Sequence, residues 1–253
     1  MRKSSGMAEA PAPPPALLPD LLSPAPPPRP LPAAEGHRAR MRQRLLRAGP
    51  DSLLDHELIE MLLFLALPRR DTKALAHALL ARFGSFGRAL SAPPGALLAV
   101  EGLGEAGVAA LKTAQAAALR LMRAELLDQP LLSSWEALQA YLQAAMGRDG
   151  VEQFRVLFLD ARNRLIADEA LGRGTVNHTP VYPREVVKRA LELGATALIL
   201  VHNHPSGDVT PSAADVTMTA EVRRAAEALG LVLHDHLIVG AAGCCSFRAR
   251  GLL

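Results

Sequence analysis

Val201-His202-Asn203-His204-Pro205-Ser206-Gly207-Asp208-Val209-Thr210-Pro211-Ser212-Ala213-Ala214-Asp215 carries the most specific pattern in the chain. It follows Ala197-Leu-Ile-Leu-Val201, a continuous apolar run of the kind that forms a strand covered on both faces. His202 and His204 stand two apart where that strand runs out, so the pleat sends both imidazoles to one side. The Pro205-Ser206-Gly207 turn bends the chain back. Ser212 then opens a helix on which Asp215, one turn later, faces the same point. Two imidazoles and a carboxylate, with a fourth position left for water, make a catalytic zinc arrangement rather than a closed structural one. Singly, each residue has a plainer reading, Asp215 being also the natural partner of the capping backbone amides. The joint spacing separates the two, because the chain has only 8 histidines and two fall in one tripeptide.

Around this segment strands and helices alternate. Trp135 to Met146 reads as a helix, Phe154 to Asp160 as a strand closed by a turn at Ala161-Arg-Asn-Arg164, and Leu165 to Leu171 as its hairpin partner. Pro183 starts a helix that Gly194 ends; Ser212 opens another to Leu229 and Gly230, before a strand from Leu231 to Val239. That order predicts a mixed α/β domain over residues 131–253.

Upstream, residues 36–127 are helical in pattern. A basic helix runs over Arg38 to Arg47. Ser52 is expected to cap a helix through Leu67, Asp71-Thr72 to open one to Phe83, and Ala92 to Val100 to form a short one. Val100-Glu-Gly-Leu-Gly-Glu-Ala-Gly-Val joins two helices by a hairpin with glycines at Gly102 and Gly104. Amides at the start of the second helix can hold a phosphate, as in a helix-hairpin-helix contact to a DNA backbone; a tight helix–helix turn with no ligand is the alternative. Residues 1–35 are dominated by Pro and Ala and are expected to be a disordered tail.

Composition limits the remaining classes. The 253 residues suffice for two domains and a tail, and the net charge of +3 permits contact with nucleic acid without requiring it. The two cysteines, Cys244 and Cys245, are adjacent, too close for an ordinary disulfide staple and without zinc-ribbon spacing, so a reducing, cytoplasmic compartment is the default. No apolar run reaches the roughly 20 residues of a membrane span, and Met1-Arg-Lys is followed by Ala and Pro rather than a signal-peptide core.

The segment opening on His202 matches the JAMM metalloprotease signature: His-x-His, seven residues, Ser, two residues, Asp. More closely, the chain resembles the RadC family, through His202-Asn-His-Pro-Ser-Gly207, Gly174-Thr, Pro183-Arg-Glu-Val186, Asp235-His-Leu-Ile-Val-Gly240 and Leu53-Leu-Asp-His-Glu-Leu58. The resemblance spans nearly everything beyond the proline-rich tail. It implies a JAMM-type, cytidine-deaminase-like fold, a sheet flanked by helices, with one zinc on His202, His204 and Asp215. In JAMM peptidases a glutamate between a helix and a strand upstream of the histidines is the general base. Glu152 holds that place by topology, with Glu169 and Glu185 as competing candidates.

The implied reaction is hydrolysis of a peptide or isopeptide bond, with Ser212 sharing the developing oxyanion. Asn203 stands where the eukaryotic deubiquitinating enzymes carry Ser or Thr, which leaves the protein or peptide substrate open. His234, Asp235 and His236 form a second polar cluster, either structural or supporting the metal ligands from behind. Two other function classes compete: a DNA-associated repair or recombination factor acting through the helical module, and a metal-binding scaffold without turnover.

Overall fold

The computed structural model describes residues 33–127, 130–174 and 181–253. The proline-rich stretch 1–32 and Thr175 of the Gly174-Thr pair lie outside the described residues; from Ala33 the chain is already helical. Helices α1 (Ala33–Ala48), α2 (Asp55–Ala66), α3 (Lys73–Phe83), α4 (Phe86–Ser91), α5 (Pro94–Leu98) and α6 (Gly104–Leu127) come first. They enclose a core built on Ile59, Leu63, Leu79, Leu97, Leu103 and Leu111. After them come α7 (Trp135–Met146), β1 (Gln153–Leu159), β2 (Leu165–Arg173), α8 (Pro183–Glu192), β3 (Ala197–Asn203), α9 (Ala213–Glu227), β4 (Val232–Gly240) and β5 (Gly243–Ser246).

The strands form one mixed sheet in the order β2-β1-β3-β4-β5. Neighbours are antiparallel except β3 and β4, which run parallel and are joined through α9. Parallel neighbours need a crossover of this length. Strand alternation divides the sheet's side chains between two cores. Ile199 and Val201 of β3 pack with Leu138, Tyr141 and Leu142 of α7. Leu198 and Leu200 pack with Val186 and Ala190 of α8 and Val222 and Ala226 of α9. All seven residues of β3 are buried, as its uninterrupted apolar run requires. This is the mixed α/β sheet flanked by helices that the sequence implied, preceded by a helical region. Helix α6 serves both parts: Leu111 belongs to the helical core and Leu126 to the α7 side of the sheet. Among the described residues no helix is long and apolar enough to cross a membrane.

Several local expectations change. Ser52 does not cap α2. Pro50–Ser52 forms a 3-10 turn whose Ser52 hydroxyl donates to the Gly49 carbonyl, and the helix begins at Asp55, its Glu57 carboxylate accepting from the Leu54 N–H at 3.0 Å. Asp55 accepts the Phe86 N–H at the start of α4, a helix capped by Ser85 that the sequence pattern did not reveal. The short helix expected over Ala92 to Val100 shrinks to α5, because Pro93-Pro94 can only occupy its start. Strand β5, too short for a periodicity to show, closes the sheet edge.

Candidate metal centre

The site forms where β3 ends beside the first turn of α9. His202 continues the face of Leu198 and Leu200 toward α8 and α9, and His204 follows two residues later with its N–H donating to the Val239 carbonyl, so the β3–β4 pairing holds it in line. The turn that brings the chain back lies over the end of β4. Gly240 makes room for it, since a Cβ there would stand 2.8 Å from the Gly207 carbonyl oxygen and from Val209. Ser212 is the N-cap of α9. Its N–H and hydroxyl both donate to Asp215 Oδ2, at 2.8 and 2.7 Å, and its Oγ accepts the Asp215 N–H. This reciprocal cap fixes the rotamer of Asp215.

His202, His204 and Asp215 each turn one ligand atom inward, all within 4.8 Å of one another. His202 Nε2 lies 3.0 Å from His204 Nε2 and 3.4 Å from Asp215 Oδ1, and His204 Nε2 lies 3.7 Å from Asp215 Oδ2. Zinc bonds of about 2.0–2.1 Å in a tetrahedron put ligand atoms about 3.3 Å apart. The two His202 separations bracket that value, and His204 reaches the other carboxylate oxygen of Asp215, so the donor set suits a zinc ion in chemistry and draws its atoms within 4.8 Å of one another.

The other ring nitrogens are engaged. His204 Nδ1–H donates to the Asp208 carbonyl, which leaves the lone pair on Nε2. His202 Nδ1 lies 2.8 Å from His236 Nε2, and His236 Nδ1 lies 2.6 Å from Thr219 Oγ1, which itself donates to the Asp215 carbonyl at 2.6 Å. With the His202 Nε2 lone pair facing Asp215 and His204, every donor in this relay has an acceptor: His202 Nδ1–H to His236, His236 Nδ1–H to Thr219, Thr219 Oγ–H to Asp215. A ligand histidine oriented through its second nitrogen is the usual support of a metal site. His236 is therefore in contact with the site. Asp235 is not: its carboxylate takes the Ser246 hydroxyl and the Arg248 N–H and fixes the turn after β5. His234 faces Asn163 in the β1–β2 turn.

Electrostatics follow burial. Burial holds His202 neutral, with its pKa pushed down to about 4, and drives His236 well below its ordinary value. Burial alone would raise Asp215, but the neighbouring His204 and His202 imidazoles and the hydrogen bonds from Ser212 more than offset it, holding the carboxylate far below its usual range. His204 is raised, first by Asp215 and last by the charge of Glu152.

Glu152 immediately precedes β1, and with Phe154, His202, Asp215, Met218 and Glu221 it lines a cavity of about 490 Å³. The competing carboxylates are elsewhere. Glu169 is held at 2.7 and 2.8 Å by the Arg189 guanidinium, and Glu185 lies beside Arg184 on the exposed first turn of α8. In the helical region Gly102 and Gly104 both have positive φ, 81° and 62°, as the hairpin required, and the Gly102 carbonyl accepts from Arg70 Nη1 at 2.8 Å. Thr219 was not anticipated. Its position one turn after Asp215 on the same helix face was the available signal.

Residues 132–252 match the RadC-like JAB domain model. The chain is 62% identical over 213 residues to a UPF0758 protein of Rhodobacter capsulatus, covering 84% of this chain and all of that one. It is also 55% identical over 217 residues to a UPF0758 protein of Ruegeria pomeroyi, covering 86% of this chain and 97% of that one. With a relative this similar along its whole length and a family model over the sheet domain, the chain belongs to the RadC family.

Proposed function

We propose that this protein is a zinc-dependent hydrolase of peptide or isopeptide bonds, with His202, His204 and Asp215 as ligands, one zinc per chain, and Glu152 as general base. The observation that carries the reading is the convergence of two imidazoles and a carboxylate, their ligand atoms within 4.8 Å of one another, beside a cavity that is also lined by the non-ligand carboxylate of Glu152. A purely structural metal has no use for the open face or for that carboxylate. A zinc ion supplies a water of lowered pKa and a positive charge that polarises a carbonyl.

The protein's residues do the rest. Glu152 takes a proton from the attacking water and returns it to the departing nitrogen, so that the C–N bond breaks with a neutral amine leaving. Ser212 Oγ–H is donated to Asp215 at rest. It can turn to the carbonyl oxygen as charge builds there, while the Ser212 N–H keeps its bond to Asp215. Phe154, Val181 and Met218 give the cavity its apolar lining beside these groups.

Metal analysis tests the site: about one zinc per chain in the wild type, lost in His202→Ala. Glu152→Gln, screened on a library of peptides and lysine-linked isopeptides, is expected to keep the metal and to lose turnover by at least about 10²-fold, the usual share of an acid–base group. Full zinc retention in His202→Ala would sink the assignment of ligands.

A second reading, contact with nucleic acid through the helical module, is supported by charge. Residues 36–127 carry 13 Lys and Arg against 8 Asp and Glu, whereas residues 131–253 carry 12 against 13. Retention of short DNA by the full chain, falling steeply as salt rises, is the expected result; no salt-dependent retention would end this reading.

A further inference from the structure

We infer that Asn203, the residue between the two histidines, is a positioning residue for Glu152: its carboxamide carries the β1–β3 ladder one step past the point where the backbones stop pairing, and so fixes the segment that presents the carboxylate. The inference rests on Glu152 as the base. β1 and β3 run antiparallel, and their last paired residues at this end are Phe154 and His202. Beyond them the Asn203 side chain takes over. Its Oδ1 accepts the Gln153 N–H at 2.8 Å, and its Nδ2 donates to the carbonyls of Val151 at 3.2 Å and Asp149 at 3.3 Å. Asn203 is 1% exposed, so water cannot replace these bonds.

The consequence for Glu152 is geometric. Residues between the end of α7 at Met146 and the start of β1 at Gln153 belong to no helix or strand, and two of them, Gly147 and Gly150, are glycines. Within that connection Glu152 is flanked by Val151 and Gln153, both bonded to Asn203, while its own carbonyl accepts the Gly174 N–H at 3.0 Å from the end of β2. Its backbone is thus tied on both sides. A side chain that accepts once and donates twice in one plane is a carboxamide; a serine or threonine hydroxyl has one proton to give, and an aspartate has none. Strand alternation separates the duties. His202 and His204 point to the α9 side, and Asn203 points back across the sheet end toward β1, so one tripeptide sets both the metal ligands and the place of the base.

The test uses the full chain loaded with cobalt(II), whose visible absorption reports on the metal's surroundings without any substrate. The readout is the pH midpoint of the absorption change, measured in wild type, Glu152→Gln, Asn203→Ala and the double variant. Asp215 and Glu221, the other carboxylates lining the cavity, are the same in all four. Removing the Glu152 charge is expected to lower the midpoint by about one unit. Asn203→Ala is expected to lower it by at least half as much, with one metal per chain retained, and the double variant to match Glu152→Gln alone. Should Asn203→Ala fail to fold, Asn203→Ser, which keeps one hydroxyl but cannot serve all three partners, is expected to shift the midpoint in the same direction. A wild-type midpoint in folded Asn203 variants, with Glu152→Gln shifted, overturns the inference and leaves the base in place. No shift in Glu152→Gln overturns the base assignment and the inference with it.

Discussion

Replacing His236 by Phe probes whether the metal site extends behind its ligands. His236 is fully buried. Its ring lies 4.5 Å from that of Phe247 and 6.2 Å from that of Phe154, so a phenyl ring keeps the aromatic packing. What His236→Phe removes is the acceptor for His202 Nδ1–H, at 2.8 Å, and the donor to Thr219, at 2.6 Å. His202 then has no partner to fix its tautomer or ring angle, and a buried N–H is left unsatisfied. Loss of such an outer partner weakens metal binding by about 10- to 100-fold, equivalent to about 1.4–2.7 kcal/mol. Thr219→Val breaks the relay one bond further out and is expected to cost less, about tenfold or below. Zinc affinity is measured by competition with a chromophoric chelator at neutral pH, with near-ultraviolet circular dichroism to establish that each variant is folded. Folded His236→Phe within threefold of wild type would refute the relay as a support of the ligand.

Three further substitutions have definite expected outcomes. Tyr141 donates to Asp168 at 2.6 Å; burial and then the Asp168 charge hold its phenol above the ordinary value of 10.0. The folded state therefore keeps the proton after the unfolded state has lost it, so this contribution is intact below pH 10 and is lost as pH rises above it; alkaline urea titrations should show a steeper fall in the wild type than in Tyr141→Phe, which keeps only the slope of the raised Cys244 and Cys245 thiols. At neutral pH the same variant leaves Asp168 one partner short and is expected to lose about 1–3 kcal/mol. Ile199→Ala, at a fully buried β3 position, is expected to cost about 2–5 kcal/mol by denaturant unfolding. Gly102→Ala places a side chain at φ +81° and 2.9 Å from the Arg70 guanidinium, and a loss of about 1–2 kcal/mol in melting experiments is expected; a neutral result would mean that the hairpin relaxes freely.

The sheet domain was legible because its signals are local and mutually consistent. An unbroken apolar run gave β3, Pro183 and Gly194 bracketed α8, and Ser212 with Asp215 marked α9. The cluster of His202, His204 and Asp215 was legible for the same reason: all three residues lie within one strand–turn–helix segment, so local geometry alone brings them together. What stayed hidden depends on partners distant in sequence. Asn203 reaches a segment 50 residues earlier, and the choice between the two roles open to His236 is settled only where β4, parallel to β3, brings it against His202. Helix α4 was missed although Gly84 and Ser85 supply a stop and a cap, because six residues are too few to show a period. Ser52 misled because a serine before an apolar run is as good a sign of a turn as of a helix cap.

The relay behind His202 also bears on how the chain would meet the proposed metal. From the Asp215 carbonyl through Thr219 and His236 to His202, the hydrogen bonds trace an arc that starts on α9, passes through β4 and ends on β3. The proposed zinc would sit in the gap between the two ends of that arc, where His202 Nε2 and Asp215 Oδ1 stand 3.4 Å apart. The protein behaves as a clasp already bent to shape. Apo chains should therefore stay folded, unlike small domains that zinc itself must fold. Zinc at a free concentration of a hundred times its dissociation constant would add about 2.7 kcal/mol to a structure that stands without it.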